Sequence, residues 1–290
     1  MRAWPVLVLS VMFLGACTDA PPVAPANVTP PPPAPIDIQP AGDQPISERE
    51  KLEDVALLDL DAIVERGYVR ILVTPSRTYF ETIDGRHRGR AVDVGVALAR
   101  ALGERRQREV GAVFIATRED QLIPALLAGR GDVAANVLLT FARDEQVAFA
   151  PPIKTGIREL VVTPAGAPLV SLEDVGGRAI HVRRNSDHHA SLARLNEQLV
   201  KINRPPAKIV VSTLPTDEDL MAAVNSGTVP ATIVDDYIFE QRRDEFPRIS
   251  ANRDIAVSQD GSLSWVTRKD APKLREALTS FFTTHHLTFR

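Results

Sequence analysis

Between Val69 and Val234 the chain alternates short β-branched runs with segments of helical period, and this alternation limits the fold more than any other feature. The strand candidates are residues 69–73, 113–115, 133–137, 159–163, 179–182, 208–211 and 231–234. Helix candidates lie between them at residues 93–102, 120–128, 186–201 and 217–225. Repeated β-α-β order with runs this short predicts an α/β fold, parallel sheets with helices on both faces. Gly103, Gly129 and Gly227 are each expected to stop a helix, and Thr216 is placed to cap the Asp217-Glu218-Asp219 start. Pro124 would damage a helix interior, so its helix is expected to begin near Asp120, with Pro124 in the first turns.

Composition fits this reading. Aromatics make up 5% of the chain while Ala, Val and Leu abound, which suits helices packed on buried parallel strands better than an antiparallel sandwich. A formal charge of −3 excludes a strongly basic, nucleic-acid-coating surface. Cys17 is the only cysteine, so no intrachain disulfide forms and the core is held by packing alone.

The N-terminus has its own logic. Arg2 supplies a positive charge, residues 3–13 are almost continuously apolar, and Leu14-Gly15-Ala16 lead to Cys17. The run is too short for a membrane span and reads as a signal peptide. Its Leu-Gly-Ala-Cys ending resembles the bacterial lipobox, which implies a lipid on Cys17 and a chain lying outside the cytoplasmic membrane. An ordinary secretory signal with an incidental cysteine is the alternative. Thr18 rather than Asp after Cys17 favours the outer membrane, by analogy with lipoproteins. Residues 18–46 then read as an extended, polyproline-like tether, with ten of the chain's 23 prolines between Thr18 and Pro45. Folded structure is expected from about Ser47, which has capping-box spacing to Glu50.

Four ordered motifs carry a resemblance. The segment 59–70, ending Arg66-Gly67-Tyr68-Val69-Arg70, resembles the opening "helix, R-G-x-L-R-V" of family 3 extracellular solute-binding proteins. Leu122-Ile123-Pro124-Ala125-Leu126, followed by Gly129 and Asp132, resembles their "L-I-P-A-L-x-x-G-x-x-D". Thr140-Phe141-Ala142-Arg143 with 147–152 resembles "T-x-x-R…V-x-F-S-x-P", and 231–236 resembles "D-A-V-I-x-D". Details at 73–80, 156–163, 182–186 and 229–236 look closest to the N-terminal, non-catalytic domain of membrane-bound lytic murein transglycosylase F relatives. Those enzymes continue into a lysozyme-like domain with a Glu-Ser motif. No Glu-Ser pair occurs here, and the resemblance covers the binding half only.

The resemblance implies a two-lobed, type II periplasmic-binding-protein (Venus flytrap) fold closing on a ligand. Lobe 1 is expected at 47–158 plus 261–290 and lobe 2 at 159–260, with two hinge strands near 158–163 and 255–258. It also implies site residues. Arg143, preceded by Thr140, matches the arginine that holds a ligand carboxylate; a planar guanidinium does this with two parallel hydrogen bonds. The bland alternative pairs Arg143 with Asp144 or Glu145. Asp235 matches the aspartate that accepts the ligand ammonium, with Asp236 as alternative because a one-residue slip swaps their directions. Asn185-Ser186-Asp187 replaces the usual "G-T-T" before a lobe 2 helix. Asn185 and Ser186 either bind a ligand anion at the helix start or simply cap the helix, and Asp187 puts negative charge where a carboxylate would approach. Tyr79 or Phe80 supplies an apolar cleft wall, or packs in the core, and Asn136 completes the candidate ligand-binding set. Where the family often has "G-F-D-V-D", this chain reads Gly89-Arg90-Ala91-Val92-Asp93.

The function implied is a lipid-anchored periplasmic receptor, acting as a monomer, for a small carboxylate ligand such as an amino acid or wall-peptide fragment. It would serve an ABC permease or regulate a cell-wall enzyme. Alternatives are a transglycosylase F-like regulatory half, a dehydratase using Glu81, Asp84 or Asp235 as acid, or a scaffold for protein contacts. No cofactor, metal or nucleic acid is expected. Arg130-Gly131-Asp132 is read as a structural turn despite its adhesion-like spelling, and the pairs His188-His189 and His285-His286 cannot chelate jointly as neighbours on a helix.

Overall fold

The computed structural model describes residues 44–45 and 55–285, apart from 105 and 168. The signal segment, Cys17, the Ser47 start and nearly all of the Pro-rich stretch lie outside the described residues. Within that stretch only β1 (Gln44–Pro45) is described; it pairs antiparallel with β4 (Arg86–Arg88), itself hairpinned to β3 (Glu81–Ile83).

The main sheet has two parallel groups. In one, β2 (Tyr68–Val73) lies between β5 (Gly111–Ala116) and β6 (Val133–Leu138). In the other, β9 (Ala179–Arg183) lies between β10 (Lys208–Ser212) and β11 (Thr232–Asp235). Two long antiparallel strands, β8 (Lys154–Pro164) and β12 (Ile249–Arg268), join the groups in the order β10-β9-β11-β8-β12-β6-β2-β5, and β7 (Val147–Phe149) also pairs with β12. Between Ala251 and Leu263 the β8–β12 register shifts repeatedly, so the pairing is irregular along this stretch. This is the two-lobed type II fold expected, and the segments read as hinge strands fall inside β8 and β12. All seven strand candidates coincide with strands.

Each parallel group is covered on both faces. α2 (Arg90–Glu104) buries Val94, Leu98 and Leu102 at helical spacing, and packs with α1 (Leu60–Arg66) and α8 (Pro272–Thr284) over β2 and β5. α3 (Leu122–Leu127) packs Leu122 and Leu126 on Leu72 and Val266 from the other side. In the second group α5 (Asp187–Lys201) sets Leu192, Leu195 and Leu199 against Ile180 and Val182. α6 (Asp217–Ser226) and α7 (Asp236–Arg242) cover the opposite face with Met221, Val224 and Phe239. No described helix is long and apolar enough to cross a membrane.

Helix ends mostly follow the local rules. Gly227 caps α6 at φ 83°, Thr216 accepts from the Asp219 N–H, and Pro124 sits in the first turn of α3. Gly103 is a correction. α2 runs through it to Glu104, and its missing side chain serves close packing: a Cβ there would stand 2.1 Å from the Arg108 carbonyl oxygen.

Asp132, from the adhesion-like tripeptide, is fully buried. It accepts from the Arg70 backbone N–H and guanidinium, both at 2.8 Å, and pairs with Arg66. The Arg-Gly-Tyr-Val-Arg and Gly-Arg-Gly-Asp motifs thus meet in one buried ion cluster, away from solvent.

Candidate functional site

The parallel strands of each group end facing a shared cleft, the usual ligand edge of an α/β sheet. It holds a cavity of about 160 Å³. Residues from β6, the loop after β2 and the 119–143 region line one side; residues from β8, β9, α5, α6 and β11 line the other.

Arg143 lies on this wall. Its helix, α4 (Phe141–Asp144), is capped by Thr140, whose hydroxyl accepts from the Arg143 N–H. The guanidinium bonds the Leu138 carbonyl at 3.0 Å and grips Asp187 through both terminal nitrogens, at 3.0 and 2.7 Å. Its partner is therefore neither Asp144 nor Glu145 but the acidic residue that replaces the last position of "G-T-T". Thr140 does not line the cavity.

Asp235 and Asp236 point different ways. Asp235 lines the cavity and meets His188 Nε2 at 3.1 Å. Asp236 accepts from the Tyr237 N–H and pairs with Arg158 at 3.6 Å.

The helix start at Asn185-Ser186 makes local bonds. Ser186 accepts from the His189 N–H and donates to the Arg183 carbonyl, while Asn185 donates to Asp120. The Asp187 N–H is met by the chain's own Glu119 carboxylate at 2.8 Å. Arg183 continues the network, bonding Glu119 at 2.9 Å and Asp217 at 2.9 and 3.0 Å.

Of the two aromatic candidates, Tyr79 lines the cavity and stands edge-on to Tyr237, centroids 5.8 Å apart. Gly89, at φ 114°, permits this, since a Cβ there would collide with the Tyr79 carbonyl. Phe80 packs in the core against His87 and Phe114. Asn136 lines the cavity with a left-handed backbone, φ 54°, inside β6. Ala91, where the family pattern has an acid, lines it too, whereas Glu81 and Asp84 sit on the β3–β4 hairpin outside it.

Burial and charge shift several groups. Burial pushes Glu119 up to about 7 in spite of Arg183, and burial also raises Glu159. For His188 burial opposes the cation, but Asp217 and Asp235 outweigh it and hold the imidazolium well above its ordinary value. Burial would raise Asp217 as well; Arg183 and His188 win and keep it below the usual carboxylate range.

Glu119, Arg183, His188, Asp217 and Glu218 were not among the sequence candidates. A signal for His188 existed. It lies one helical turn before Ser191 and Leu192, on the stripe that continues through Leu195 and Leu199, and so belongs to the buried face of α5. Acids at a helix start ordinarily face water, yet Asp217 and Glu218 are both buried.

Residues 69–287 match the family model of bacterial extracellular solute-binding proteins, family 3. A curated relative, membrane-bound lytic murein transglycosylase F of Maricaulis maris, is 30% identical over 225 residues, 76% of this chain and 46% of the relative. The enzyme of the same name from Desulfosudis oleivorans is 24% identical over 56% of this chain and 35% of its own length. The chain thus spans less than half the length of these relatives. Among solved structures, an amino acid ABC transporter substrate-binding protein from Streptococcus pneumoniae, bound to L-arginine, superposes with TM-score 0.63 at 20% identity, covering 77% of this chain and 90% of that one. An ancestral amino-acid-binding protein, described as a precursor of cyclohexadienyl dehydratase, gives 0.61 at 22%, covering 77% and 91%. The chain belongs to the bacterial extracellular solute-binding proteins, family 3.

Proposed function

We propose that this chain is a ligand-binding domain held outside the cytoplasmic membrane by a lipid on Cys17. It closes over a small ligand that carries both a carboxylate and an amino group, an amino acid or a wall-peptide fragment. One observation carries this reading: Arg143 already holds a carboxylate in a bidentate grip on the cavity wall, and Asp235 already holds a cation on the same cavity. Both partners come from the chain itself, Asp187 and His188, adjacent residues at the start of α5. Together they imitate a zwitterion.

A ligand would displace Asp187 from Arg143 and present its ammonium to Asp235. Closure around it removes water and strengthens both pairs. Its net affinity is reduced by whatever Asp187 and His188 contribute when they occupy the same seats. Solved neighbours that bind L-arginine support an amino-acid-like ligand. The transglycosylase relatives support a regulatory role in wall turnover beside the alternative of delivery to a permease.

Isothermal titration of the protein with amino acids and muropeptides tests the reading. Saturable binding that Arg143→Ala abolishes is the expected result, and silence across the panel overturns it.

A further inference from the structure

Two sets of bonds cross the cleft between the parallel group built on β2 and the group built on β9, and the chain makes both. The first comes from the segments after β5 and β6. Arg143 grips Asp187, Glu119 accepts from the Asp187 N–H at 2.8 Å and from Arg183 at 2.9 Å, and Asp120 accepts from Asn185 at 3.1 Å. The second binds the loop after β2 to α6 and α7. Glu218 Oε1 accepts from the hydroxyls of Ser76 and Thr78, both at 2.9 Å, and from the Thr78 N–H at 3.1 Å. Arg77 pairs with Asp219 at 2.7 Å, while Arg242 donates to the Thr78 hydroxyl and the Arg77 carbonyl. Ser76 and Glu218 of this set line the same cavity as Glu119, Arg143 and Asp187 of the first.

The apolar cores do not cross with these bonds. Each hydrophobic cluster lies within one group or the other, and Tyr237, edge-on to Tyr79, is the side chain among the described residues that packs against clusters of both. A polar seam separates at modest cost because water replaces each bond, whereas a fused apolar core does not. Water already reaches this seam: 44% of the Arg77 side chain and 25% of the Asp187 side chain are exposed. The groups are joined by β8 and β12, whose pairing is irregular between Ala251 and Leu263. Polar contacts on both sets, beside irregular connecting strands, suit an element with two arrangements, bonded and released.

We propose that the two sets form a latch, which holds the cleft shut through the chain's own side chains and admits a ligand only when both release. The latch needs no ligand and does not rest on the proposed function. Its consequence for that function is that opening limits access, and apparent affinity falls by the latched fraction.

The test is amide hydrogen exchange followed by NMR, with X-ray scattering, on the whole protein with no small molecule added. The Thr78 and Asp187 amides report on one set each, since both donate across the cleft to a carboxylate. Ser76→Ala combined with Thr78→Val removes two hydroxyls from the second set. It is expected to speed exchange about tenfold at Asp187 as well as at Thr78, and to raise the radius of gyration. Arg143→Gln, in the first set, should speed exchange at Thr78 in the same way. Arg77→Ala alters a side chain 44% exposed and repeats the second-set test should the double variant not fold; a thermal melt checks all three. Exchange that rises only beside the substitution, or at both amides with unchanged scattering, overturns the latch, and so do wild-type amides without protection. None of these outcomes depends on the ligand titration, so the two readings fail separately.

Discussion

Asp187 stands with both carboxylate oxygens on the Arg143 guanidinium, at 3.0 and 2.7 Å, although the two residues lie 44 positions apart. About a fifth of the Arg143 side chain and a quarter of the Asp187 side chain remain exposed, so a ligand carboxylate has access to the pair. The pair is a competitor for whatever Arg143 is meant to hold. A binding site open for only a fraction of the time loses apparent affinity by that fraction. Asp187→Asn keeps the size, loses the charge and is expected to tighten binding of an amino acid by about tenfold in calorimetry. Unchanged binding would show that Asp187 does not compete for Arg143, and weaker binding that it helps to hold the ligand.

The buried network also sets a pH dependence. In the unfolded chain Glu119 and Glu159 titrate near 4.5 and His188 near 6.5. Folding raises all three, so the folded state binds their protons more tightly. The stabilisation from the two glutamates is complete below pH 4.5, and the Glu119 part is lost as pH rises to about 7. The His188 part is complete below 6.5 and is lost as pH climbs through its raised value. Asp217 has the opposite sign but acts below 3.8. A Tm at pH 5 above that at pH 8, by of the order of 5 °C, is expected in a calorimetric scan. Glu119→Gln should flatten the slope between pH 5 and 7, and an unaltered slope would remove Glu119 as its source.

Arg70 and Asp132 test the fold rather than the site. Asp132 is completely buried between Arg70 and Arg66, and Arg70 also bonds the carbonyls of Gly129 and Ala56. Asp132→Ala strands a buried guanidinium. The expected loss is about 3–5 kcal/mol in urea denaturation. A loss under about 1 kcal/mol, the range of exposed pairs, would mean that water reaches the cluster.

Much of this was legible beforehand because it is local. β-Branched runs, caps at Thr216 and Gly227 and the ordered family motifs mark the strands, helices and two-lobed fold, and they single out Arg143 and Asp235. The partners were not legible. Asp187 and Arg143 meet only through tertiary folding, and no spacing rule links 143 to 187. The sequence did flag Asp187 as an acid in an anion's place. Burial of Asp217 and Glu218 was hidden because acids at helix starts ordinarily face water. His188 lies on a readable apolar stripe of α5, but its acidic partners, Asp217 and Asp235, come from other elements and no local spacing marks them.

Gly103, inside α2, and Gly227, at the end of α6, separate the two uses of a missing side chain. Ala is a better helix former than Gly by about 1 kcal/mol, which alone would favour Gly103→Ala inside α2. Yet its Cβ would stand 2.1 Å from the Arg108 carbonyl oxygen, a backbone atom with no rotamer to give way. The collision outweighs the propensity, and a net loss of about 1–3 kcal/mol is expected. Gly227→Ala meets no atom within 4 Å but must hold φ 83°, at a cost of about 1–2 kcal/mol. Gly227→Asn, which tolerates the left-handed region, should recover part of that cost, whereas Gly103→Asn should be at least as harmful as the alanine. Chemical denaturation of the four variants decides it: rescue of position 103 by asparagine would mean that backbone conformation, not contact, selects glycine there.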